Sequence, residues 1–387
     1  MKFGSSLYFD CQATLPMNEN ILSQLAGFYR DSIGNPHSSD HQFGWLCAAK
    51  VEKSATVIAN LIGAEVDEVV WTSGATESNN FALTSLAKSS LANERKRILV
   101  SAIEHKCVLE SANALAEHAD FVVETIPVDS SGLVCLESLS KQMADDVLLV
   151  SVMAVNNEIG TVQDLSAISK IVRKHSSYFH TDAAQAPITM RVSDMSQFAD
   201  LISLSSHKIG GPPGIGALYI RRDIAGSLVP LFHGGGQQGG LRSGTLAVPL
   251  CEGFAAAASS LMDDDIDRQR SELLELTQHF TAGLTAIDSD IQLNGPDFSK
   301  RHIGNANIQF PGNDAQDILL RLQPNLAAST GSACTSGIRG SSHVLREIGL
   351  SQIEARSSIR FSPGFASTID DADEAIRLLS KILIDKS

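Results

Sequence analysis

The sequence lacks the features that identify several common protein classes. No apolar run approaches the roughly 18 residues that a membrane-spanning helix needs. The first residues, MKFGSS, show neither a secretion signal nor an Arg-rich transit pattern. The six cysteines are scattered without a CxxC pair, which predicts free thiols in a reducing compartment and no metal or disulfide framework. We therefore expect a cytoplasmic protein without a metal site or a membrane contact.

Positive charge is also scarce. The 387 residues include 30 Lys and Arg against 44 Asp and Glu, and the formal net charge is −14. This balance argues against non-specific binding to nucleic acid. With 43% hydrophobic residues the chain can build a sizeable core, and at this length two domains are expected.

The sequence does contain a regular alternation of short apolar strands and helical patterns. From about residue 67 to 220, segments such as 97–101 and 147–153 are each followed by a loop and a helix-like period. This order predicts an α/β fold with a mainly parallel sheet covered by helices on both faces.

The pattern of predicted strands and helices changes in the last third of the chain. A long Ala-rich helical stretch is expected over about 247–287, and shorter strands and helices follow Asn294-Gly295-Pro296. We interpret this part as a smaller α+β domain. The predicted division is a large domain over 15–250 and a small domain formed by 1–14 and 251–387.

A lysine follows one of the predicted buried strands. Lys208 ends the sequence SSHK, which lies between the apolar stretch 200–204 and the loop sequence GGPPG. In α/β sheets the carboxyl ends of the strands form the ligand-binding edge. Desolvation there lowers the pKa of a lysine, and a neutral amine can form a Schiff base. A surface lysine is the alternative for this residue taken alone.

Three more segments with useful chemistry follow neighbouring strands. The small residues 72–76 precede a helix, where backbone N–H groups can bind an anion. Asp182 ends a buried strand, where a carboxylate needs a cationic partner, and His105 lies after another strand. Each of these segments also has a purely structural interpretation. Residues 72–76 and Asp182 could be ordinary helix caps, and His105 could be a capping or packed histidine. With Lys208, these groups meet the requirements of pyridoxal phosphate (PLP).

Eight segments in one order resemble the cysteine desulfurases of the class V aminotransferase superfamily, closest to the group of housekeeping iron–sulfur-cluster enzymes. The similarity runs from Tyr8 to about Leu378. The segments are TSGATESNN (72–80), EHKCVLE (104–110), VNNEIG (155–160), HTDAAQA (180–186), SSHKIGGPPGIGALY (205–219), RSGT (242–245), GSACTSG (331–337) and SSIRFS (357–362). The resemblance implies the PLP-dependent transferase fold of type I, with a large-domain sheet of the seven-stranded type.

The resemblance also implies the roles of individual residues. Lys208 would carry PLP and move the Cα proton of the substrate, and His105 would stack on the ring and take part in proton transfer. Thr245 would reach the cofactor phosphate of a neighbouring subunit, which implies a homodimer. Asn157 and Arg360 would bind the carboxylate of L-cysteine. The expected cofactor-binding residues are Ala75, Thr76, His105, Asn157, Asp182, Gln185, Ser205, His207, Lys208 and Thr245.

Cys334 lies among small residues, and a mobile loop is expected over about 328–340. The resemblance implies that its thiolate takes the sulfur of L-cysteine as a persulfide, leaves L-alanine and passes the sulfur to a protein acceptor. A buried structural cysteine is the alternative for this residue. For the whole chain the alternatives are a selenocysteine lyase or another class V PLP enzyme, and a non-catalytic sulfur carrier or regulatory partner that keeps the fold.

The chain departs from the family pattern in a few places. Gly210 and Pro213 stand where relatives often have Tyr and Lys, and Gln238-Gly239 stands where they often have Glu-Arg. The sequence ends soon after its last predicted helix, without the longer tail through which housekeeping relatives dock a cluster scaffold. We therefore expect the acceptor to be either a cluster scaffold or a thiolation enzyme for tRNA or DNA, without direct contact to nucleic acid.

Overall fold

The computed structural model describes residues 1–331 and 342–384, so Cys334 lies outside the described residues. The strands are β1 (Lys2–Phe3), β2 (Ser6–Tyr8), β3 (Val69–Thr72), β4 (Arg97–Ser101), β5 (Val122–Ile126), β6 (Val147–Ser151), β7 (Tyr178–Asp182), β8 (Leu201–Ser205), β9 (Gly216–Ile220), β10 (Gln292–Leu293), β11 (Ala306–Gln309), β12 (Leu326–Ala327) and β13 (Ser358–Phe361). The α-helices are α1 (Glu19–Asp31), α2 (Gln42–Ile62), α3 (Ala75–Ala87), α4 (Lys106–His118), α5 (Leu136–Gln142), α6 (Leu165–Val172), α7 (Ala186–Thr189), α8 (Arg222–Ala225), α9 (Val248–Ser260), α10 (Ile266–Ile287), α11 (Ala315–Leu322), α12 (His343–Glu347), α13 (Gln352–Arg356) and α14 (Ile369–Ile384). Over these same ranges, no helix is both long enough and apolar enough to cross a bilayer.

The largest sheet has seven strands in the order β3-β9-β8-β7-β6-β4-β5. The pairs β5–β4, β4–β6, β6–β7 and β7–β8 are parallel, whereas β9 is antiparallel to both β8 and β3. The predicted α/β fold with a mainly parallel sheet of seven strands is confirmed. Because β3 and β8 both oppose β9, the carboxyl ends of β3, β4, β6, β7 and β8 lie at one edge of the sheet.

The strands in the middle of this sheet are buried on both faces. Every residue of β6, β8 and β9 is buried. Helices α2, α6 and α9 contribute to one hydrophobic core and α3 and α4 to a second. This burial explains why the strands are continuous apolar runs in the sequence rather than alternating ones.

A third hydrophobic core unites the two ends of the chain. Phe9 packs edge-on against Phe280 of α10 at 5.6 Å between ring centroids, and Phe280 contacts Phe361 of β13 at 5.1 Å. The sheets β1-β2-β12 and β10-β11-β13 supply strands to this core, and α11 and α14 complete it. The predicted boundary at residue 250 falls within α9, which packs on α1 and α2. The two-domain division stays a prediction.

The helical region predicted over about 247–287 consists of two helices. Helix α9 ends at Ser260 and α10 begins at Ile266, with Asp263, Asp264 and Asp265 between them. Inside a helix such a run of like charges is unfavourable, whereas acidic residues are stabilised in front of a helix N-terminus. A hydrogen bond from Arg268 lowers the pKa of the Asp265 carboxyl.

Candidate active site

A cavity of about 380 Å³ lies at the carboxyl edge of the sheet, where β3, β4, β6, β7 and β8 end. Ten of the predicted site residues line it: Ala75, Thr76, His105, Asn157, Asp182, Gln185, Ser205, His207, Lys208 and Arg360. Thr245 is exposed and does not line this cavity. The volume is within the usual range of small-molecule sites.

One end of the cavity is built to receive an anion. Helix α3 starts there behind Gly74, and no side chain caps its first turn. The carboxylate of Glu77 accepts from Ser73 N at 2.8 Å and from Arg242 Nε at 2.8 Å, which fixes the loop before the helix. The N–H groups of the first turn can therefore bind a phosphate together with nearby hydroxyl groups.

His207 adds a neutral ring to this end of the cavity. Burial, together with the positive charge of Lys208, lowers the pKa of His207 to about 4. At neutral pH the ring is therefore uncharged. It lies 3.1 Å from Thr14 Oγ1 through Nδ1, which fixes its orientation.

Lys208 projects from a single turn of 3₁₀ helix that follows β8. Its Nζ donates to the backbone oxygens of Gln12 at 2.8 Å and Ala13 at 2.9 Å. Gln185 Nε2 also donates to Gln12 O, at 2.9 Å. Gln12 and Ala13 were not among the predicted site residues, and the sequence carries no signal for them because their contribution is a backbone carbonyl.

Asp182 is a buried carboxylate at the end of β7. Its Oδ2 accepts from Asn79 Nδ2 at 2.7 Å, and its Oδ1 accepts from Ala184 N at 3.0 Å. Both of these donors are neutral, so within the described part of the chain the negative charge of Asp182 is not paired with a cation. A buried charge of this kind calls for a cationic partner, and a protonated ring nitrogen fits. Asn79 was missed, although it lies in the motif 72–80.

His105 caps the N-terminus of α4 through its ring Nδ1, and this contact determines which ring nitrogen carries the proton. Its Nδ1 accepts from Cys107 N at 3.2 Å and lies 2.9 Å from Cys107 Sγ. The geometry therefore assigns the proton of the neutral ring to Nε2. Asn79 Nδ2, which holds Asp182, is also 3.1 Å from Cys107 Sγ. Cys107 thus joins His105 to Asp182 through Asn79.

Arg360 of β13 brings a guanidinium to the opposite side of the cavity. Its Nη1 donates to Asn157 O at 2.7 Å, and its Nη2 donates to Asp10 Oδ1 at 2.6 Å and Ser329 Oγ at 2.9 Å. Its Nε is buried and has no hydrogen-bond partner among the residues that the structure describes. A substrate carboxylate would therefore share this guanidinium with Asp10.

The residues of the cavity fit PLP. They provide a lysine amine, an uncapped helix N-terminus for a phosphate and an uncompensated carboxylate for a protonated ring nitrogen. Within 1–331 and 342–384, no cluster of His, Cys, Asp or Glu could hold a metal ion.

Comparisons with known proteins agree with this geometry. The sequence profile of the family described as "Aminotransferase class-V" matches residues 7–374. The chain is 41% identical over 379 residues to the cysteine desulfurase IscS of Rickettsia prowazekii, covering 97% of this chain and 91% of that protein. A solved NifS-like protein superposes with a TM-score of 0.90 at 31% identity, over 98% of this chain and 99% of that one. The structure described as SspA in complex with cysteine gives a TM-score of 0.79 at 33% identity, over 92% and 98% of the two chains.

Proposed function

Because the chain belongs to the cysteine desulfurases of the class V aminotransferase family, we propose that it converts L-cysteine to L-alanine and keeps the sulfur as a persulfide on Cys334. In this step L-cysteine and the Cys334 thiol give L-alanine and the Cys334 persulfide, so atoms and electrons balance without another reactant. The observation that carries the proposal is the meeting of a lysine amine, an anion cradle and an uncompensated carboxylate in one cavity. Cys334 itself lies outside the described residues.

The family is PLP-dependent, and we propose the residues that hold PLP in this chain. Bound PLP supplies an electron sink that makes the Cα proton of an amino acid removable. Lys208 would form the covalent link, Asp182 would face the protonated ring nitrogen and Gln185 would donate to the phenolic oxygen. The residues proposed for the phosphate are Ala75, Thr76, Ser205 and His207.

Two groups in the cavity are placed to move protons. Lys208 Nζ would take the Cα proton of the substrate, and His105 Nε2 would deliver or receive the next one. The contact between His105 Nδ1 and Cys107 supports this role, because it leaves the mobile proton on Nε2.

Arg360 and Asn157 are proposed to bind the substrate carboxylate. The buried guanidinium of Arg360, with an unpartnered Nε among the described residues, supports this role. The similar structure of SspA with cysteine supports L-cysteine as the ligand.

We propose that the enzyme works as a homodimer. Large apolar side chains at the start of α2 are exposed on the single chain: Phe43 by 57%, Trp45 by 59% and Leu46 by 51%. Such patches mark interaction surfaces. Thr245 is exposed and does not line the cavity of its own chain, which suits a contact with the phosphate of the other subunit.

The sulfur acceptor is proposed to be a protein, either an iron–sulfur cluster scaffold or a thiolation enzyme. The net charge of −14 does not favour direct contact with nucleic acid. The five described cysteines are free thiols, which supports a reducing compartment such as the cytoplasm.

A paired product assay tests the function. The PLP-loaded protein is given L-cysteine and excess thiol reductant, which releases the persulfide sulfur as sulfide, and L-alanine and sulfide are measured together. We expect equal amounts of both from the wild type and neither from Cys334→Ala. Cys135→Ala, which removes a partly exposed cysteine that does not line the cavity, serves as the matched control. Undiminished products from Cys334→Ala, or pyruvate and ammonia in place of L-alanine, would refute the proposal.

A further inference from the structure

One buried carboxylate contacts both ends of the segment 332–341. At the first end, Gly331 packs so closely on Glu158 that a Cβ built on it would lie 3.2 Å from Glu158 Oε2. At the second end, Ser342 Oγ donates a hydrogen bond of 2.5 Å to the same oxygen. A single atom, Oε2 of Glu158, therefore lies between the two residues that flank the segment.

Glu158 is itself held firmly. The side chain of Asn156 accepts from Glu158 N at 2.8 Å and from Ile159 N at 2.9 Å. The Glu158 carbonyl accepts from Asn305 Nδ2 and Asn307 Nδ2, both at 3.1 Å. With only 4% of its surface exposed, Glu158 is a fixed point between the loop after β6 and the strand β11.

The first flanking residue is also tied to the cavity. Gly331 lines it, and Gly331 N donates to Ser329 Oγ at 3.3 Å. That same hydroxyl accepts from Arg360 Nη2 at 2.9 Å. Gly331, the last described residue before the segment, is therefore linked through Ser329 to the guanidinium proposed to bind the substrate.

The second flanking residue is tied to the sheet edge. Ser342 Oγ caps α12 by accepting a hydrogen bond from Leu345 N at 3.1 Å. The same hydroxyl donates its hydrogen bond to Glu158. The next residue, His343, contacts the backbone oxygen of Glu104 after β4 through Nε2 at 3.0 Å. The residue that follows the segment is therefore fixed by three hydrogen-bonding contacts, two of Ser342 and one of its neighbour His343.

We propose that Glu158 is a positioning residue for sulfur transfer. By keeping Gly331 and Ser342 close to each other beside the cavity, it lowers the entropy that must be lost when the Cys334 thiol attacks the substrate sulfur. Glu158 is not placed to touch the reacting atoms, so its effect acts through the two ends of the segment. This inference rests on the proposed function, because it concerns the persulfide-forming step.

The test separates positioning from general stability. The PLP-loaded enzyme is mixed with L-cysteine without reductant, so that each site turns over once, and the rate of L-alanine formation is measured by rapid quench. PLP content and the affinity for L-cysteine, followed through the cofactor absorbance, are measured on the same samples. The variants are Glu158→Ala, Glu158→Gln and, as control, Glu354→Ala. The last removes an exposed carboxylate that bonds Ser351 N in α13.

We expect Glu158→Ala to slow the single turnover by at least about tenfold, with PLP content and L-cysteine affinity within about twofold of the wild type. Glu158→Gln keeps an acceptor oxygen for Ser342 and is expected to stay within about threefold of the wild-type rate. Glu354→Ala is expected to match the wild type. An unchanged rate in Glu158→Ala would overturn the inference, as would a parallel loss of PLP and L-cysteine binding.

A second pair of variants keeps the test decisive if Glu158→Ala does not fold. Ser342→Ala removes the hydroxyl that donates to Glu158, and Ser342→Thr retains one. The first is expected to slow the single turnover and the second to restore it; equal rates would overturn the inference. A wild type that forms no L-alanine would instead refute the proposed function, and the inference with it.

Discussion

The two walls of the cavity are built in different ways. On the wall at the sheet edge, His105, Asp182 and Lys208 each come from the carboxyl end of a neighbouring strand. On the opposite wall, Gln12 and Arg360 come from near the two ends of the chain, which share one hydrophobic core. The first wall carries groups proposed for PLP, and Arg360 on the second wall is proposed to bind the substrate carboxylate. Substitutions on the two walls should therefore have separable effects.

The largest effect is expected on the sheet-edge wall. Lys208→Ala removes the amine proposed to bond PLP and to move the Cα proton. We expect turnover to fall by at least about 10²- to 10⁴-fold, the usual contribution of a general base. The visible absorbance of lysine-bound PLP should also disappear, which a spectrum of the reconstituted variant would show. An unchanged spectrum would mean that another lysine carries the cofactor.

A smaller and different effect is expected on the opposite wall. Arg360→Ala removes the guanidinium that is shared with Asp10 and Asn157 O. We expect the KM for L-cysteine to rise by about tenfold to a hundredfold, the usual range for a hydrogen bond to a charged group, while the absorbance of bound PLP stays. Steady-state kinetics with Arg360→Lys as the charge-preserving control would test this. Loss of PLP in Arg360→Ala would show that the walls are not separable.

A change in pH dependence is expected behind the sheet-edge wall, and it concerns stability rather than catalysis. Glu104 is buried beside His105, and burial raises the pKa of its carboxyl from 4.5 to about 8, although Met153 N and Ser101 Oγ donate to it. Between these pH values the folded protein holds a proton that the unfolded chain has released. The free energy of unfolding therefore falls as the pH rises through this window.

Glu104→Gln removes this titration. Relative to the variant, the wild type should lose stability between about pH 4.5 and about pH 8, on the order of 1.4 kcal/mol per unit of pKa shift. Urea unfolding of both proteins across this range would measure the difference. A difference that does not change with pH would mean that Glu104 titrates normally and is not held neutral by the fold.

The sequence predicted the sheet-edge wall well for a physical reason. In a parallel sheet, every loop after a strand lies at the same edge, so residues that are distant in the sequence become neighbours by topology alone. Lys208, Asp182 and His105 each lie at or just after the carboxyl end of a strand of this sheet. Prediction failed where contacts depend on backbone atoms or packing, as for the carbonyl of Gln12 and the amide of Asn79 that holds Asp182.

The sequence alone determined the α/β class, the mainly parallel sheet and the segments that supply the cavity residues, because periodicity and strand-to-loop order encode them locally. Only the tertiary structure decided how the two ends of the chain close the cavity. It places Arg360 against Asp10 and brings Gly331 and Ser342 to the same oxygen of Glu158. These contacts join residues up to 350 positions apart, and no local pattern specifies them. The contact of Arg360 with Asp10 accompanies the packing of Phe9, Phe280 and Phe361 into one core, and the contact of Ser342 with Glu158 accompanies the packing of Val344 and Ile159 into another.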